Sequence, residues 1–167
     1  MEEVNAQYWI NKLELIKHPE GGYYREVYRS EEVIEEVALH DRYSGVRNVS
    51  TSIYFLLDGE NVSHFHKLQS DETWHFYEGS SLTIYLIDEA GNYSTQKLGR
   101  NIEAEEVFQF VIPKFSWFAA EVNDKNSYTL IGCTVAPGFD FADFELAKGE
   151  VLIAQFPIHK SLIEKLT

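Results

Sequence analysis

From residue 23 to residue 135 the chain is a succession of short runs rich in aromatic and β-branched residues, each closed by a turn signal, with no helical stretch between them. Nine such runs stand out, over residues 23–29, 49–57, 62–66, 72–79, 82–87, 93–98, 107–112, 117–122 and 127–135, with Asp58-Gly59, Gly91-Asn92 and Pro113 among the breaks. Short strands joined by tight turns bury their apolar faces by packing sheet on sheet, so the expected class is all-β, a sandwich or barrel. Helices are expected only at the ends. Trp9, Leu13 and Ile16 recur at helical spacing behind Asn5 as N-cap, with Ile10 beside them, and two apolar-striped helices are predicted near 146–154 and 158–166, packed outside the strands. At 167 residues, one domain over 1–167 accounts for the chain.

Charge and cysteine usage exclude several function classes. The formal net charge is -13 and no Lys/Arg cluster occurs, so a nucleic-acid partner is not expected. The single cysteine, Cys133, cannot form an internal disulfide and is read as a buried, inert thiol. The acidic start Met1-Glu2-Glu3-Val4 lacks an apolar segment and no run reaches the length of a membrane span, so a cytoplasmic protein without membrane contact is expected. Residues 30–48, rich in glutamate, are read as a solvated segment without a function of their own.

The chemistry concentrates in Val62-Ser63-His64-Phe65-His66 and in the aromatic run that begins at Glu72. In a regular strand His64 and His66 share a face, roughly 6.6 Å apart. If the run from Glu72 is the antiparallel partner, its carboxylate comes opposite both imidazoles. Two histidines and a carboxylate make either a metal site or an acid–base site. Alternation puts Glu72, Trp74 and Phe76 on one face and His75 on the other. Candidate ligand-binding groups are Arg25, for an anion, then Gln69, Trp74, Phe76, Gln109 and Trp117. His18 has two readings, a group at the pocket mouth or a turn residue, of which the turn is favoured, and His40 and His159 are read as surface residues.

The pattern Gly59…His64-x-His66…Glu72…Gly79 resembles the first motif of the cupins. The wider sequence is similar to cupin family five through His18-Pro19-Glu20-Gly21-Gly22-Tyr23, residues 52–57, Ser63-His64-Phe65-His66, residues 71–77 and residues 132–141. The resemblance implies a cupin-type jelly roll (double-stranded β-helix), a small-molecule ligand and a homodimer. It also implies a metal held by histidines and a carboxylate, but the usual fourth ligand is absent: where a second-motif glycine and histidine are expected, the chain reads Ile112-Pro113-Lys114-Phe115-Ser116-Trp117-Phe118.

Three functions follow as expectations. The favoured one is a metal-independent isomerase or epimerase acting on a sugar- or nucleotide-like ligand, with His64 or His66 as base and Glu72 orienting it. The alternative is a dioxygenase-like enzyme with one divalent transition metal on His64, His66 and Glu72. The third is a ligand-binding module without turnover. The apolar character of both faces around Phe65 suggests sheet-to-sheet dimer contact.

Overall fold

The computed structural model describes residues 4–167, and the acidic start at residues 1–3 lies outside them. After helix α1 (Ala6–Lys12) come strands β1 (Ile16–Lys17), β2 (Tyr23–Arg29), β3 (Val33–Ile34), β4 (Arg47–Asn48) and β5 (Thr51–Asp58). There follow β6 (Val62–Leu68), β7 (Glu72–Gly79), β8 (Leu82–Ile87), β9 (Tyr93–Leu98), β10 (Glu106–Val107), β11 (Gln109–Ile112), β12 (Trp117–Val122), β13 (Tyr128–Val135) and β14 (Phe144–Leu146). Helices α2 (Gly149–Gln155) and α3 (Lys160–Lys165) end the chain.

Two six-stranded sheets face each other, in the orders β1-β2-β5-β13-β7-β11 and β10-β9-β8-β12-β6-β14. All pairings within them are antiparallel except β9 with β10. Strands consecutive in sequence, such as β5, β6 and β7, alternate between the sheets, which is the jelly-roll pattern expected from the sequence. The core between the sheets holds Phe55, Leu57, Trp74, Leu82, Ile84, Leu98, Phe118 and Ile131.

Each sheet also has an apolar outer surface that a terminal helix covers. Asn5 caps α1 as expected, accepting from the Tyr8 N–H at 3.0 Å. Trp9, Ile10 and Leu13 pack on Leu56 and Leu130, and the Trp9 indole donates to Tyr128 Oη at 2.8 Å. Ile16 falls outside this helix, in β1, where it is exposed. On the other sheet Phe65, Ile87 and Trp117 are buried under Leu152, Phe156, Ile163 and Leu166. The apolar outer face at Phe65 is therefore covered by the chain's own C-terminal helices, which removes the reason it gave for a dimer contact.

Two irregularities in the ladders decide which side chains enter the space between the sheets. Against β12, Phe118 pairs with His66 but Ala120 pairs with Ser63, so β6 carries one extra residue, a β-bulge. Against β5, Glu26 pairs with Ile53 but Tyr28 with Ser52, so β2 carries another at Val27. Among the described residues, no helix is long and apolar enough to cross a membrane.

Candidate functional site

A cavity of about 450 Å³ opens at one end of the sandwich. Its walls include His18, Glu20, Tyr24, Glu26, Arg29, Phe55, His66, Glu72, Cys133, Phe139, Asp140, Phe141 and Phe144. At that size it can enclose a small molecule.

The turn at residues 18–22 supplies the deepest charge. Gly21 has φ +107°, and a Cβ on it would lie 2.2 Å from the Val62 carbonyl oxygen, so only glycine lets the turn lie flat on β6. The Glu20 carbonyl then accepts from the His64 backbone N–H at 2.8 Å, and the Glu20 carboxylate reaches inward with 6% of its surface exposed. Ser63 Oγ donates to its Oε1 at 2.9 Å. Its Oε2 lies 3.0 Å from His66 Nε2 and 3.3 Å from His18 Nδ1.

The protonation of the Glu20–His66 couple follows from its geometry. His66 Nδ1 faces the His64 carbonyl at 2.7 Å, and a carbonyl only accepts, so Nδ1 carries a proton. With Nε2 3.0 Å from a carboxylate oxygen, two bare lone pairs would face each other unless a second proton lies between them. Burial pulls Glu20 toward its neutral acid form, but the His66 charge, with His18 and Ser63, outweighs it and holds the carboxyl below its ordinary value. Burial also draws the His66 pKa down, against the attraction of Glu20. Neutral imidazole and ionised carboxylate do not fit the short contact, so we assign one proton shared between Nε2 and Oε2, held by the ion pair.

Glu72 is the opposite case. It comes from β7 in the facing sheet, is 7% exposed, and burial raises its pKa to about 8, with the Glu20 charge adding to the effect. Its polar neighbours are the Cys133 thiol and the Trp74 indole, whose N–H has no hydrogen bond of good geometry. The Cys133 thiol is itself pushed far up by burial, consistent with an inert thiol. Glu72 is thus a neutral acid at pH 7 beside an ionised one. Because its native pKa lies above the ordinary 4.5, the folded state holds a proton that the unfolded chain releases between pH 4.5 and 8. Stability from this group is complete below pH 4.5 and is lost as pH rises through 8, at up to about 1.4 kcal/mol per unit. Glu72→Gln is expected to flatten the fall in unfolding free energy between pH 5 and 8 relative to the parent, read by urea titration at each pH.

The structure redistributes the residues singled out in the sequence. His66 and Glu72 line the cavity. His64 does not: the β6 bulge breaks the alternation, and its Nδ1 lies 2.8 Å from the Glu20 carbonyl. β6 and β7 are not partners but lie in different sheets, so Glu72 faces the histidine strand across the sandwich. Trp74 and Phe76 belong to the core beneath the site, and Trp117 faces outward under the C-terminal helices. Arg25 points away, binding Glu14 and the Leu13 carbonyl. Gln109 is exposed, and Gln69 lies off the cavity, its carbonyl held by Arg42 and Tyr43. His18, read as a turn residue, is a wall of the site.

The metal set proposed on His64, His66 and Glu72 does not assemble. His64 is off the cavity, both ring nitrogens of His66 are engaged, and among the described residues no group of three His, Cys, Asp or Glu is placed to hold an ion. At the missing fourth-ligand position Phe118 turns inward, its ring 4.0 Å from that of His66. Phe115, at the position of the expected glycine, still adopts glycine's backbone, with φ +67°.

The profile of the family described as Cupin superfamily (DUF985) matches residues 7–147. The chain belongs to this cupin family. It is 34% identical over 156 residues to the uncharacterized protein YML079W of Saccharomyces cerevisiae, spanning 87% of this chain and 77% of that one. Among solved structures, protein SO0799 from Shewanella oneidensis shares 44% identity at a TM-score of 0.89, covering 99% of this chain and 98% of its own. A hypothetical protein from Leishmania major shares 33% identity at TM-score 0.89, covering 98% and 99%. Oxalate decarboxylase from Bacillus subtilis, at 16% identity and TM-score 0.55 over 90% of this chain and 36% of that one, shares the fold alone.

Proposed function

We propose that this cupin binds a small molecule in the cavity and moves a proton on it, as an isomerase or epimerase does, without a metal. The observation that carries this reading is the pair of carboxyl groups held in opposite states within one cavity. Glu20 is ionised and shares a proton with His66, while Glu72 is kept neutral. Two titratable groups whose surroundings push their pKa values apart are the usual mark of an acid and a base in one site. With both His66 nitrogens already protonated, the Glu20 carboxylate takes a proton from one side of the ligand, and Glu72, from the facing sheet, gives one from the other. Shift of a double bond and inversion of a carbon centre both need this two-sided exchange.

The aromatic walls, Tyr24, Phe139, Phe141 and Phe144, suit a cyclic ligand lying between rings. The test is deuterium incorporation. Compounds that bind, taken from cyclic carbonyl, sugar-like and nucleoside-like panels, are incubated with the protein in D₂O and examined by NMR for exchange at carbon. Exchange is expected with the parent and is expected to fall about 100-fold or more in His66→Ala and in Glu72→Gln. Ligands that bind tightly yet exchange nothing would leave a binding module and overturn the enzyme reading.

A further inference from the structure

The charge of the ligand is written into the walls of the same cavity, and this inference rests on reading it as a ligand site. Its single arginine, Arg29, has no N–H left to offer. Nε and Nη2 donate to the two oxygens of Glu26 at 3.0 and 2.7 Å, Nη1 donates to Asn48 Oδ1 at 2.7 Å, and Nη1 and Nη2 each donate to the Phe139 carbonyl at 3.1 Å. A guanidinium has five donors, and all five are committed. The other positive group, His66, is matched by Glu20. A phosphate entering here would find neither the fork of free donors nor the unpaired positive charge that phosphate sites provide.

The remaining groups favour the opposite sign. Glu26 is paired with Arg29 and Glu20 with His66, and Asp140 adds a further carboxylate to the wall, within the field of Arg29 and Arg47, one oxygen accepting from the Ala142 N–H at 2.8 Å. Glu72, deeply buried and held neutral, presents a carboxyl whose carbonyl oxygen can accept from a ligand N–H. Around them Phe139, Phe141 and Phe144 meet edge to face, with centroids 5.0 to 6.3 Å apart, and the His18 ring lies nearly parallel to Phe141 at 6.3 Å. An organic ammonium group is attracted to the face of an aromatic ring, and a wall of clustered rings offers it such faces. The net charge of -13 adds a field of the same sign.

We propose that the cavity takes an organic cation, a protonated or quaternary amine on a compact apolar or aromatic body, and discriminates against phosphorylated ligands. The test uses three probes of similar size: benzyltrimethylammonium, benzyl alcohol and phenyl phosphate, titrated by ligand-observed NMR and calorimetry. The ammonium probe is expected to bind about 10-fold more tightly than benzyl alcohol, and phenyl phosphate more weakly than either. Phe141→Leu is expected to weaken the ammonium probe selectively, which places it in the cavity.

Glu26→Gln then tests the cause. Glu26 is partly exposed, and the substitution removes its charge and one of the two oxygens that hold Arg29, without disturbing the core. Phenyl phosphate is expected to gain about 10-fold in affinity and the ammonium probe to lose. Tighter binding of phenyl phosphate than of the ammonium probe in the parent, no preference over benzyl alcohol, or indifference to Phe141→Leu would each overturn the assignment. These readouts are independent of turnover. A cavity that preferred phosphate and still exchanged carbon-bound protons would sink the cation assignment alone, whereas a cation-selective cavity without exchange would sink only the proton-transfer reading.

Discussion

Asp143→Ala is expected to lower the unfolding free energy by about 3–5 kcal/mol, the cost of leaving a buried charge without its partner. Arg47 and Asp143 form a bidentate pair, with Nε and Nη2 each 2.6 Å from a carboxylate oxygen and side chains 3% and 5% exposed. Arg47 Nη1 also donates to the carbonyls of Ser44, Gly45 and Val46, so the pair ties the 44–47 turn to the segment carrying Phe139, Phe141 and Phe144. Domains of this size hold about 5–15 kcal/mol in all, so the variant gives up a large share. Asp143 does not line the cavity, yet the cavity depends on it. Hydrogen exchange is expected to quicken across residues 137–146 while the ladder between β8 and β12 stays protected. Equilibrium urea unfolding measures the first effect. A loss under 1 kcal/mol would mean that water reaches the freed guanidinium and that the pair is not an anchor.

How far the site could be read from sequence depends on where the strands are regular. The jelly roll, the terminal helices, and His66 and Glu72 as cavity residues were all legible, because alternation and turn signals are local. Two of the misplacements trace to the bulges. In β6 one extra residue turns His64 out of phase with His66, so the His-x-His spacing, sound for a regular strand, misplaced one of them. In β2 the extra residue at Val27 brings Arg29 to the face of Tyr24 and Glu26, while Tyr28 is left exposed. Arg25, singled out for its charge, lies off the face of Tyr24 and Glu26. A bulge has no reliable sequence signature, since it depends on the partner strand.

Glu20 was missed for a different reason. It sits in a Pro-Glu-Gly-Gly turn, where an acid reads as solvated, and only the approach of Gly21 to Val62 turns it inward. The Phe139, Phe141 and Phe144 wall is likewise set by long-range contacts, among them the Arg47–Asp143 pair 96 positions apart in sequence.

Glu20→Ala carries the second large effect, and it separates structure from chemistry. Removing the carboxylate leaves His66, 2% exposed, without the acceptor for its Nε2 proton, and Ser63 Oγ without its own. A loss of about 3–5 kcal/mol is expected at pH 7. The double variant with His66→Ala is expected to cost less than the two single losses added, by up to about 3 kcal/mol, because the second deletion removes the imidazole left without its partner. The pH dependence has a definite sign. The native pKa of Glu20 is depressed below 4.5, so its stabilisation is present above 4.5 and lost as pH falls through the native value. Parent and Glu20→Ala should therefore converge in stability as pH drops below 4.5.

The effect on Glu72 tests whether the two acids act as one site. Part of its rise to about 8 comes from the Glu20 charge, so the variant should titrate Glu72 at lower pH, visible by carbon NMR of labelled glutamate. If Glu72 titrates unchanged while the protein stays folded, the carboxyl groups do not sense each other, and a shared proton-transfer site falls with them. If it shifts downward, ligand binding persists and carbon-bound exchange disappears, the couple on one sheet and the neutral acid on the other are working on the same molecule.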